Sequence, residues 1–378
     1  MKAIRVLHLI TETDSGGAQV MLRNVTTRMD RARFDNRVVS LMCKGSLAPS
    51  FEAGGVSVES LDMRRGMPDP RALLRLVRIL RRLRPDIVQT WLYHADLLGS
   101  AAASMVRVPV LAWNIRNSAM DPKHLGLSTR ITLRLLARLS PRPDAVVTNS
   151  RVARTMHEEL GYRPRLWKFL PNGFDVDCFR PDAAARARIR GSLAIPDQAI
   201  VAGFFARFHP VKDHRMFLEA VRITDRPDVH YVFAGRDTEQ VTQLADAIAP
   251  GAHVHALGER HDMPELTAAV DLACSASVSG EGFPNSIGEA MASAVPCIVT
   301  DRGDAAWLVG DAGVVVPSAD APAFATALRA LIDATADERR AIGARGRQRV
   351  LRDFTIESVV RQYEDFYTAL AADERGRS

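Results

Sequence analysis

Short apolar runs alternate with amphipathic segments along the whole chain. Residues 4–10 form an apolar run of strand length, and residues 20–29 then show the spacing of a helix that buries one face. Further runs of strand length follow in the first half at 37–41, 56–61, 87–89, 110–113, 145–148 and 166–170. The alternation restarts in the second half, with runs at 199–205, 230–235, 254–257, 271–274, 297–300 and 313–317. Strands that alternate with helices predict parallel sheets covered on both faces, and the restart predicts two such domains.

The charge balance also differs between the two halves. The chain has 378 residues, which is long for a single hydrophobic core. Residues 1–175 contain 28 Lys and Arg against 15 Asp and Glu, a net charge of +13, whereas residues 176–378 contain 22 against 29, a net charge of −7. This asymmetry supports a division into two domains and predicts an anionic partner for the first half.

The chain start and the cysteines indicate the compartment. Residues 1–11 have a short apolar core and no small-residue cleavage site, which favours a buried strand over a signal peptide. No apolar run approaches the ~20 residues that span a bilayer. Cys43, Cys178, Cys274 and Cys297 show no paired spacing, which predicts small buried side chains without a disulfide or a zinc site. We therefore predict a cytoplasmic protein, with a peripheral position on the inner face of the membrane as an alternative.

The stretch 279–301 carries the strongest chemical signal. A polar loop with Gly280, Gly282, Pro284 and Asn285 runs directly into a small-residue helical pattern over 287–294. Such a loop directs backbone N–H groups and the positive end of a helix dipole into one cavity. The stretch therefore predicts a binding site for an anion such as a diphosphate.

Two glutamates accompany this loop. Carboxylates are poor phosphate ligands but good acceptors for sugar hydroxyls, and Glu281 lies between two glycines, where it supports no core. Glu289 has a second interpretation, because Ser286 and Glu289 have the spacing of a capping box, in which the glutamate bonds the N–H of the cap residue. A ligand role and a capping role for Glu289 both stay open at this point.

Two cations follow the first apolar run of the second half. Arg207 and Lys212 lie five positions apart on a loop that leads from the strand 199–205 into a helix. Cations that converge there would neutralise a diphosphate leaving group without a metal ion. The alternative is that both are solvated surface residues, which the apolar strand before the loop makes less attractive.

The first half offers weaker signals. Gly16 and Gly17 lie between a strand and a helix, where they form either an anion-binding turn or a simple tight turn. Asn114, Arg116 and Asn117 follow an apolar strand, at the end where parallel sheets bind their ligands.

A basic amphipathic pattern over 71–82 has two main interpretations. It predicts an ordinary crossover helix with a solvated basic face, with contact to anionic lipid headgroups as the alternative. Nucleic acid is the weakest interpretation, because no recognition motif accompanies the charge.

Seven segments in order resemble a known family. They are GGAQ, WLYHADLLG, NIRNS, NSRVA, PNGFD, RFHPVKDH and EGFPNSIGEAMA, and together they are similar to the retaining glycosyltransferases of family 4. The resemblance implies the α/β fold called GT-B, two doubly wound Rossmann-like domains facing across a cleft. It also implies an acceptor-side domain over 1–174, a donor domain over 175–355, and a C-terminal helix in 356–378 that crosses back to the first domain.

The resemblance further implies roles for individual residues. It places Arg207, Lys212, Glu281 and His94 at the reacting centre. The family commonly has a histidine where Trp91 stands, and His94 follows three residues later, so either a catalytic or a packing role is expected for His94. Donor contacts are expected from Gly16, Gly17, Arg260, Phe283, Pro284, Asn285, Ser286 and Glu289. Acceptor contacts are expected from Trp91, Asn114, Arg116 and Asn117.

The expected reaction needs no cofactor beyond its donor substrate. We expect a hexose to pass from a UDP- or GDP-sugar to a surface polysaccharide, a lipopolysaccharide or a lipid-linked acceptor, without a metal ion. Asp175 and Asp177 look like the metal-binding aspartate pair of another glycosyltransferase fold, but their position after PNG predicts a turn. The expected partners are the nucleotide sugar, the saccharide acceptor and an anionic membrane surface, with no nucleic acid. The alternatives are a non-catalytic sugar-nucleotide or glycolipid binding protein, and a UDP-sugar 2-epimerase on the same fold.

Overall fold

The computed structural model describes residues 2–14, 16–64, 69–116, 126–279 and 281–377. The chain divides into two compact units. The N-terminal unit comprises residues 1–173 together with 356–378, and the C-terminal unit comprises residues 174–355. The sequence analysis placed its boundaries after residues 174 and 355, so the first lies one residue later than the division between the two units.

The N-terminal unit contains a seven-stranded parallel sheet. Its strands are β1 (Ile4–Ile10), β2 (Phe34–Ser40), β3 (Ser57–Ser60), β4 (Ile87–Trp91), β5 (Val110–Ile115), β6 (Ala145–Thr148) and β7 (Trp167–Phe169). Their order across the sheet is β3-β2-β1-β4-β5-β6-β7. The helices are α1 (Gly17–Arg28), α2 (Ala48–Ala53), α3 (Pro70–Leu83), α4 (Tyr93–Val106), α5 (Leu127–Leu139), α6 (Arg151–Glu159) and, from the chain end, α15 (Ile356–Arg377).

Helices cover both faces of this sheet, as the apolar runs predict. Along β1, Val6 and Ile10 pack with α1 and α15, whereas Leu7 and Leu9 pack with α3 and α4. Successive side chains of a strand point to opposite faces, so an uninterrupted apolar strand requires a helical layer on each side. The layer of α3 and α4 continues into α5, which packs on β5 and β6.

The C-terminal unit contains a six-stranded parallel sheet. Its strands are β8 (Ile200–Phe205), β9 (Val229–Ala234), β10 (His253–Ala256), β11 (Leu272–Ser275), β12 (Cys297–Thr300) and β13 (Gly313–Val316), in the order β10-β9-β8-β11-β12-β13. Its helices are α7 (Ala183–Ser192), α8 (His214–Thr224), α9 (Gln240–Ile248), α10 (Met263–Ala269), α11 (Asn285–Ala292), α12 (Ala305–Val309), α13 (Ala321–Asp333) and α14 (Ala336–Asp353).

Each sheet has one point where the winding reverses. In the N-terminal unit the chain moves outward from β1 to β3 and then returns to place β4 beside β1. In the C-terminal unit it moves outward from β8 to β10 and returns to place β11 beside β8. Loops that leave adjacent strands in opposite directions open a crevice at the carboxyl ends, and ligands of doubly wound sheets bind there.

Some details differ from the sequence predictions. Helix α11 begins at Asn285, two residues earlier than predicted, and α15 extends to Arg377. All four cysteines are free thiols, but Cys43 and Cys178 are exposed because they lie on connections outside the strands and helices. The prediction that all four thiols are buried is therefore wrong. Asp175 accepts hydrogen bonds from the N–H groups of Asp177 and Cys178, at 3.2 and 3.0 Å, which is the predicted turn. No helix in the described ranges is both long and apolar enough to cross a membrane.

Candidate active site

Lys212 and Glu281 meet at the winding reversal of the C-terminal unit. Lys212 ends a 3-10 turn (Pro210–Lys212) in the loop after β8, and Glu281 lies in the loop after β11. The two loops are joined because the N–H of Val278 donates to the carbonyl of Val211 at 3.0 Å. The ammonium of Lys212 contacts Oε2 of Glu281 directly. The structure thus brings together two residues that the sequence separates by 69 positions.

Ser277 holds the Glu281 carboxylate together with Lys212, and Thr300 and Gly303 fix the backbone around it. Glu281 is only 9% exposed, and its Oε2 accepts a hydrogen bond from Ser277 Oγ at 2.8 Å. Thr300, the last residue of β12, donates its hydroxyl to the carbonyl of Ser277 at 2.7 Å. Gly303 has a φ of 58°, and a Cβ there would lie 2.0 Å from the carbonyl oxygen of Glu281, so only glycine fits. The sequence analysis missed Ser277 and Thr300, although both are polar residues at a strand end.

Arg207 is an exposed cation beside this pair. Its side chain has no hydrogen bond or ion pair within the described residues. The backbone around it is fixed, because Phe208 N–H donates to the Arg236 carbonyl at 2.8 Å and a Cβ on Gly235 would lie 2.5 Å from Ala206. Burial lowers the pKa of His209, and the charges of Arg207 and Lys212 lower it further, which places both cations around one imidazole. This cluster has an excess of positive charge.

The N-terminus of α11 adds backbone donors after the glutamate loop. The helix begins at Asn285, and its cap residue, Pro284, makes no side-chain hydrogen bond to it. The first N–H groups of a helix have no partner within the helix, and the dipole makes this end positive. This end suits an anion, as the loop composition predicts.

Glu289 does not form the capping box that the sequence offered as an alternative. The cap position is Pro284, two residues before Ser286, and the Glu289 side chain has no hydrogen-bond partner among the described residues. Burial raises the pKa of Glu289 to about 7. A carboxyl group held in a crowded site without an internal partner is available to a ligand. By contrast, Thr335 and Glu338 form a complete capping box at the start of α14.

Two further predicted donor residues have partners within the C-terminal unit. The Phe283 ring is buried and stacks on Phe174, with ring centroids 6.0 Å apart, so only its backbone is available to a ligand. Arg260 Nε donates to Asp262 Oδ1 at 2.8 Å, and this contact raises the pKa of Arg260. Donor contacts by both residues stay predictions. In the described part of the chain, no group of three or more His, Cys, Asp or Glu side chains is arranged to hold a metal ion.

In the N-terminal unit, Gly16 and Gly17 lie between β1 and α1. Gly16 is the cap residue of α1 and, as a glycine, has no side chain to cap it. A Cβ on Gly16 would lie 2.5 Å from Oε1 of Gln19, so a larger residue would have to displace that buried side chain. At Gly16 and Gly17 the chain therefore presents backbone rather than side chains, and contact of these residues with a donor stays a prediction.

Trp91, at the end of β4, is a fully buried core residue. Its Nε1 donates to His8 Nδ1 at 3.3 Å, and its ring stacks on Tyr363 of α15, with centroids 6.2 Å apart. Burial lowers the pKa of His8 to about 4, so the imidazole is neutral and its Nε2–H donates to Asn36 Oδ1. The sequence analysis expected an acceptor contact from Trp91, whereas the structure places its side chain in the core of the N-terminal unit.

The strand-end residues Asn114 and Arg116 also contact α15. Asn114 Nδ2 donates to the Tyr363 hydroxyl at 3.1 Å, and Arg116 donates to the same oxygen at 3.0 Å and to Asn172 Oδ1 at 2.7 Å. The Arg116 guanidinium lies 4.8 Å from the Trp91 ring centroid. These contacts position the C-terminal helix, and an acceptor role for the residues stays a prediction. Asn117 lies outside the described residues.

His94 is exposed in the first turn of α4 and has no polar partner in the described ranges. The turn before it is strained, because Leu92 has a φ of 74° and a ψ of 153°. Such strain costs of order 1–3 kcal/mol and concentrates at functional sites. The geometry leaves the His94 imidazole free for a ligand, and its catalytic role stays a prediction.

Comparisons with known proteins cover both halves of the chain. Residues 15–178 match the family described as Glycosyltransferase Family 4, and residues 199–334 match the family described as Glycosyl transferases group 1. The chain is 23% identical over 333 residues to the putative glycosyltransferase EpsF of Bacillus subtilis (strain 168), with 79% of each protein covered. It is 24% identical over 320 residues to the UDP-Gal:alpha-D-GlcNAc-diphosphoundecaprenol alpha-1,3-galactosyltransferase of Escherichia coli, with 81% of each covered.

A solved structure supports the same fold. Anabaena Alr3699/HepE in complex with UDP and glucose superposes with a TM-score of 0.85 at 22% identity, over 97% of this chain and 99% of that one. Both sheets, their strand order and the two sequence matches agree with the architecture that the motifs predict. The chain belongs to the group 1 and family 4 glycosyltransferases and has their GT-B fold.

Proposed function

We propose that this glycosyltransferase moves a hexose from a UDP- or GDP-sugar to a polysaccharide, lipopolysaccharide or lipid-linked acceptor, with retention of configuration and without a metal ion. The observation that carries the proposal is the contact of Lys212 with Glu281 at the winding reversal of the C-terminal sheet, with Arg207, which has no partner among the described residues, beside it. Lys212 and Arg207 provide positive charge for the diphosphate of a pyrophosphate-linked sugar, and Glu281 provides a carboxylate for its hydroxyls.

The cations act on the leaving group. As the bond between the anomeric carbon and the phosphate oxygen breaks, negative charge grows on the diphosphate. Arg207 and Lys212 stabilise that charge, and the start of α11 adds its N–H groups and dipole. Fixed donors of this kind replace the electrostatic role that Mg²⁺ has in other phosphoryl and glycosyl transfers.

Glu281 acts on the sugar. Its carboxylate accepts hydrogen bonds from sugar hydroxyls and faces the positive charge that develops at the anomeric carbon. In the absence of donor, Lys212 and Ser277 hold this carboxylate. Donor binding brings a competing anion to Lys212, so the lysine turns toward the diphosphate while Ser277 keeps Glu281 in place. Glu289 accepts from the ribose hydroxyls of the nucleotide.

No protein nucleophile is part of the proposed step. The acceptor hydroxyl attacks the anomeric carbon on the face that the diphosphate leaves, and a departing phosphate oxygen takes the hydroxyl proton. One glycosidic bond forms as one sugar–phosphate bond breaks, and the nucleoside diphosphate is released. The Escherichia coli relative, whose name specifies a diphosphoundecaprenol acceptor, supports a lipid-linked acceptor class here. A cytoplasmic location stays a prediction.

The test combines donor binding with product analysis. Thermal shifts with a panel of UDP- and GDP-sugars identify the donor, and the reaction with that donor is then run in EDTA. We expect undiminished transfer, and proton NMR of the product is expected to show the anomeric configuration of the donor. An inverted product would overturn the retaining mechanism, and loss of transfer in EDTA that Mg²⁺ restores would overturn metal independence. Donor binding without turnover would favour the non-catalytic alternative, and a changed sugar without a second substrate would favour the epimerase.

A further inference from the structure

Helix α5 has apolar side chains on two faces. Leu133, Leu136 and Ala137 are buried in the core of the N-terminal unit. Leu127, Ile131 and Leu135 recur at every fourth position on the other face, and they are 71%, 55% and 40% exposed. A helix of a soluble protein normally needs one apolar stripe for its core, and its solvent face is polar. The second stripe therefore lacks a partner within the described residues.

Three arginines alternate with this second stripe. Arg130, Arg134 and Arg138 are exposed, and none of them has an ion pair or hydrogen bond among the described residues. Helix α5 contains no acidic residue, so its charge is +3. The α5 face, which we define as Leu127, Arg130, Ile131, Arg134, Leu135 and Arg138, is thus both apolar and cationic.

We infer that the α5 face docks on an anionic lipid bilayer. The three aliphatic side chains enter the boundary between headgroups and acyl chains, and the arginines extend their guanidinium groups to lipid phosphates. A purely apolar partner surface would leave the three charges unpaired, whereas a surface of phosphates below aliphatic chains satisfies both kinds of side chain. The inference rests on the proposed function only for its biological reason, which is access to a lipid-linked acceptor.

The contrast with α3 separates this surface from basic charge alone. The sequence analysis kept lipid contact by α3 as the alternative to an ordinary crossover helix, and the apolar residues Leu76 and Leu80 of α3 are buried. Two of its arginines are already paired, Arg75 with Asp69 at 2.7 Å and Arg82 with Glu59 at 2.5 Å. Leu74 is the large apolar residue that α3 exposes among the described positions. Helix α3 therefore has the charge of an interfacial helix without its apolar stripe.

The test measures binding of the full chain to vesicles by sedimentation. Vesicles of phosphatidylcholine with added phosphatidylglycerol are compared with vesicles of phosphatidylcholine alone. We expect the wild type to bind the anionic vesicles, and Leu127→Ser with Ile131→Ser and Leu135→Ser to lower the partition coefficient about tenfold or more. Arg130→Gln with Arg134→Gln and Arg138→Gln should lower it by a similar factor.

Matched variants control for charge and folding. Arg71→Gln with Arg78→Gln and Arg81→Gln removes the same charge from exposed positions of α3, and these proteins should bind like the wild type. All variants change exposed positions, so their melting temperatures and the thermal shift produced by the donor should not change. Absence of wild-type binding to anionic vesicles overturns the inference, and so does equal binding by the α5 variants. Binding through a protein would appear as an α5-dependent dimer in gel filtration without vesicle binding, which also overturns it.

The two proposals fail separately. If the wild type binds anionic vesicles through α5 but shows no sugar transfer, the membrane surface stands and the proposed function is wrong. If transfer to a water-soluble acceptor proceeds but vesicles are ignored, the proposed function stands and the docking surface is wrong.

Discussion

The two winding reversals have the same topology, but the polar residues beside them differ in their internal hydrogen-bond partners. In the N-terminal unit, Gln89, Asn114 and Arg116 each have at least one internal hydrogen bond, although Gln89 Nε2, Asn114 Oδ1 and Arg116 Nε are buried without a partner among the described residues. Tyr363 of α15 accepts from Asn114 and Arg116, and the Tyr367 hydroxyl donates to Gln89. In the C-terminal unit, Arg207 and the side chain of Glu289 have no such partner among the described residues, and Lys212 and Glu281 rely on each other and on Ser277.

The difference shows what a polar residue at a strand end means. Position alone predicts a ligand contact equally for Arg116 and Arg207, since both follow a parallel strand. An internal hydrogen-bond partner distinguishes the two residues. A structural polar group forms its hydrogen bonds within the protein, whereas a functional group forms them with its ligand. In the N-terminal unit, the C-terminal helix takes the place of a ligand for Asn114, Arg116 and Gln89. The predictions below test this contrast, from the largest expected effect to the smallest.

Removal of either member of the ionic contact at the C-terminal reversal should have the largest effect. Glu281→Ala and Lys212→Ala should each lower the transfer rate by roughly 100-fold or more, because each removes charge from the reacting centre. Initial rates with the identified donor give the measurement. The matched control is the exposed ion pair of Lys44 with Glu52, 2.8 Å long, and alanine at either of these positions should leave the rate unchanged. Wild-type turnover in Glu281→Ala and Lys212→Ala would end the site assignment.

Arg207→Gln should separate activity from stability. Arg207 is exposed and makes no internal contact among the described residues, so the free energy of unfolding should change by less than about 0.5 kcal/mol. The transfer rate should fall by about 10- to 100-fold, because a positive charge is lost beside the diphosphate. Arg222 of α8 is likewise exposed, and Arg222→Gln makes the same chemical change away from the loop. Equal rates in the two variants would show that Arg207 has no part in the reaction.

The sequence predicted the layers better than the contacts. Alternating apolar runs determine strands and helices locally, so the two parallel sheets and the positions of Arg207, Lys212 and Glu281 on loops after strands followed from the pattern. The Lys212–Glu281 contact depends on β8 and β11 being neighbours, which the local pattern did not show. The family resemblance predicted only that the two residues share the reacting centre.

The features that the sequence analysis left open or did not find depend on elements that are distant in the sequence. Trp91 and Asn114 are buried because Tyr363 packs on them, more than 240 positions later in the chain. For Glu289, the local capping pattern pointed to the wrong partner, because the helix starts earlier, at Asn285. Ser277 and Thr300 support Glu281 through the fold rather than through any motif.

Tyr363→Phe should lower stability and leave donor binding unchanged, whereas Arg207→Gln should lower the transfer rate and leave stability unchanged. The change removes a hydroxyl that accepts from Asn114 and Arg116 and leaves these buried donors with fewer partners. The free energy of unfolding should fall by about 1–3 kcal/mol in urea titrations. Donor affinity, measured by calorimetric titration, should not change. Tyr93→Phe is unsuitable as a control because its hydroxyl is also bonded, at 2.9 Å to His157. Unchanged stability in Tyr363→Phe would show that α15 is not the internal partner described here.

Glu289 provides the smallest effect and a test by pH. Because burial raises its pKa to about 7, the carboxylate is protonated in an increasing fraction of molecules below about pH 7. The carboxylate form accepts hydrogen bonds from the ribose, so donor affinity should fall as the pH drops through about 7, by up to about tenfold per pH unit. The nucleotide sugar is the ligand to use, since the terminal phosphate of a free nucleotide itself titrates near about pH 6.

Stability without donor should follow the opposite trend. The folded protein binds a proton at Glu289 in the window between the ordinary value of 4.5 and about 7, where the unfolded chain has lost it. Stability from this group is therefore present below that window and decreases as the pH rises through it. Glu289→Gln should flatten both profiles, measured by calorimetric donor titrations and by urea unfolding at several pH values. A wild-type donor affinity that is constant across about pH 7 would exclude Glu289 as a carboxylate acceptor, and a flat stability profile would show that its site is not desolvating.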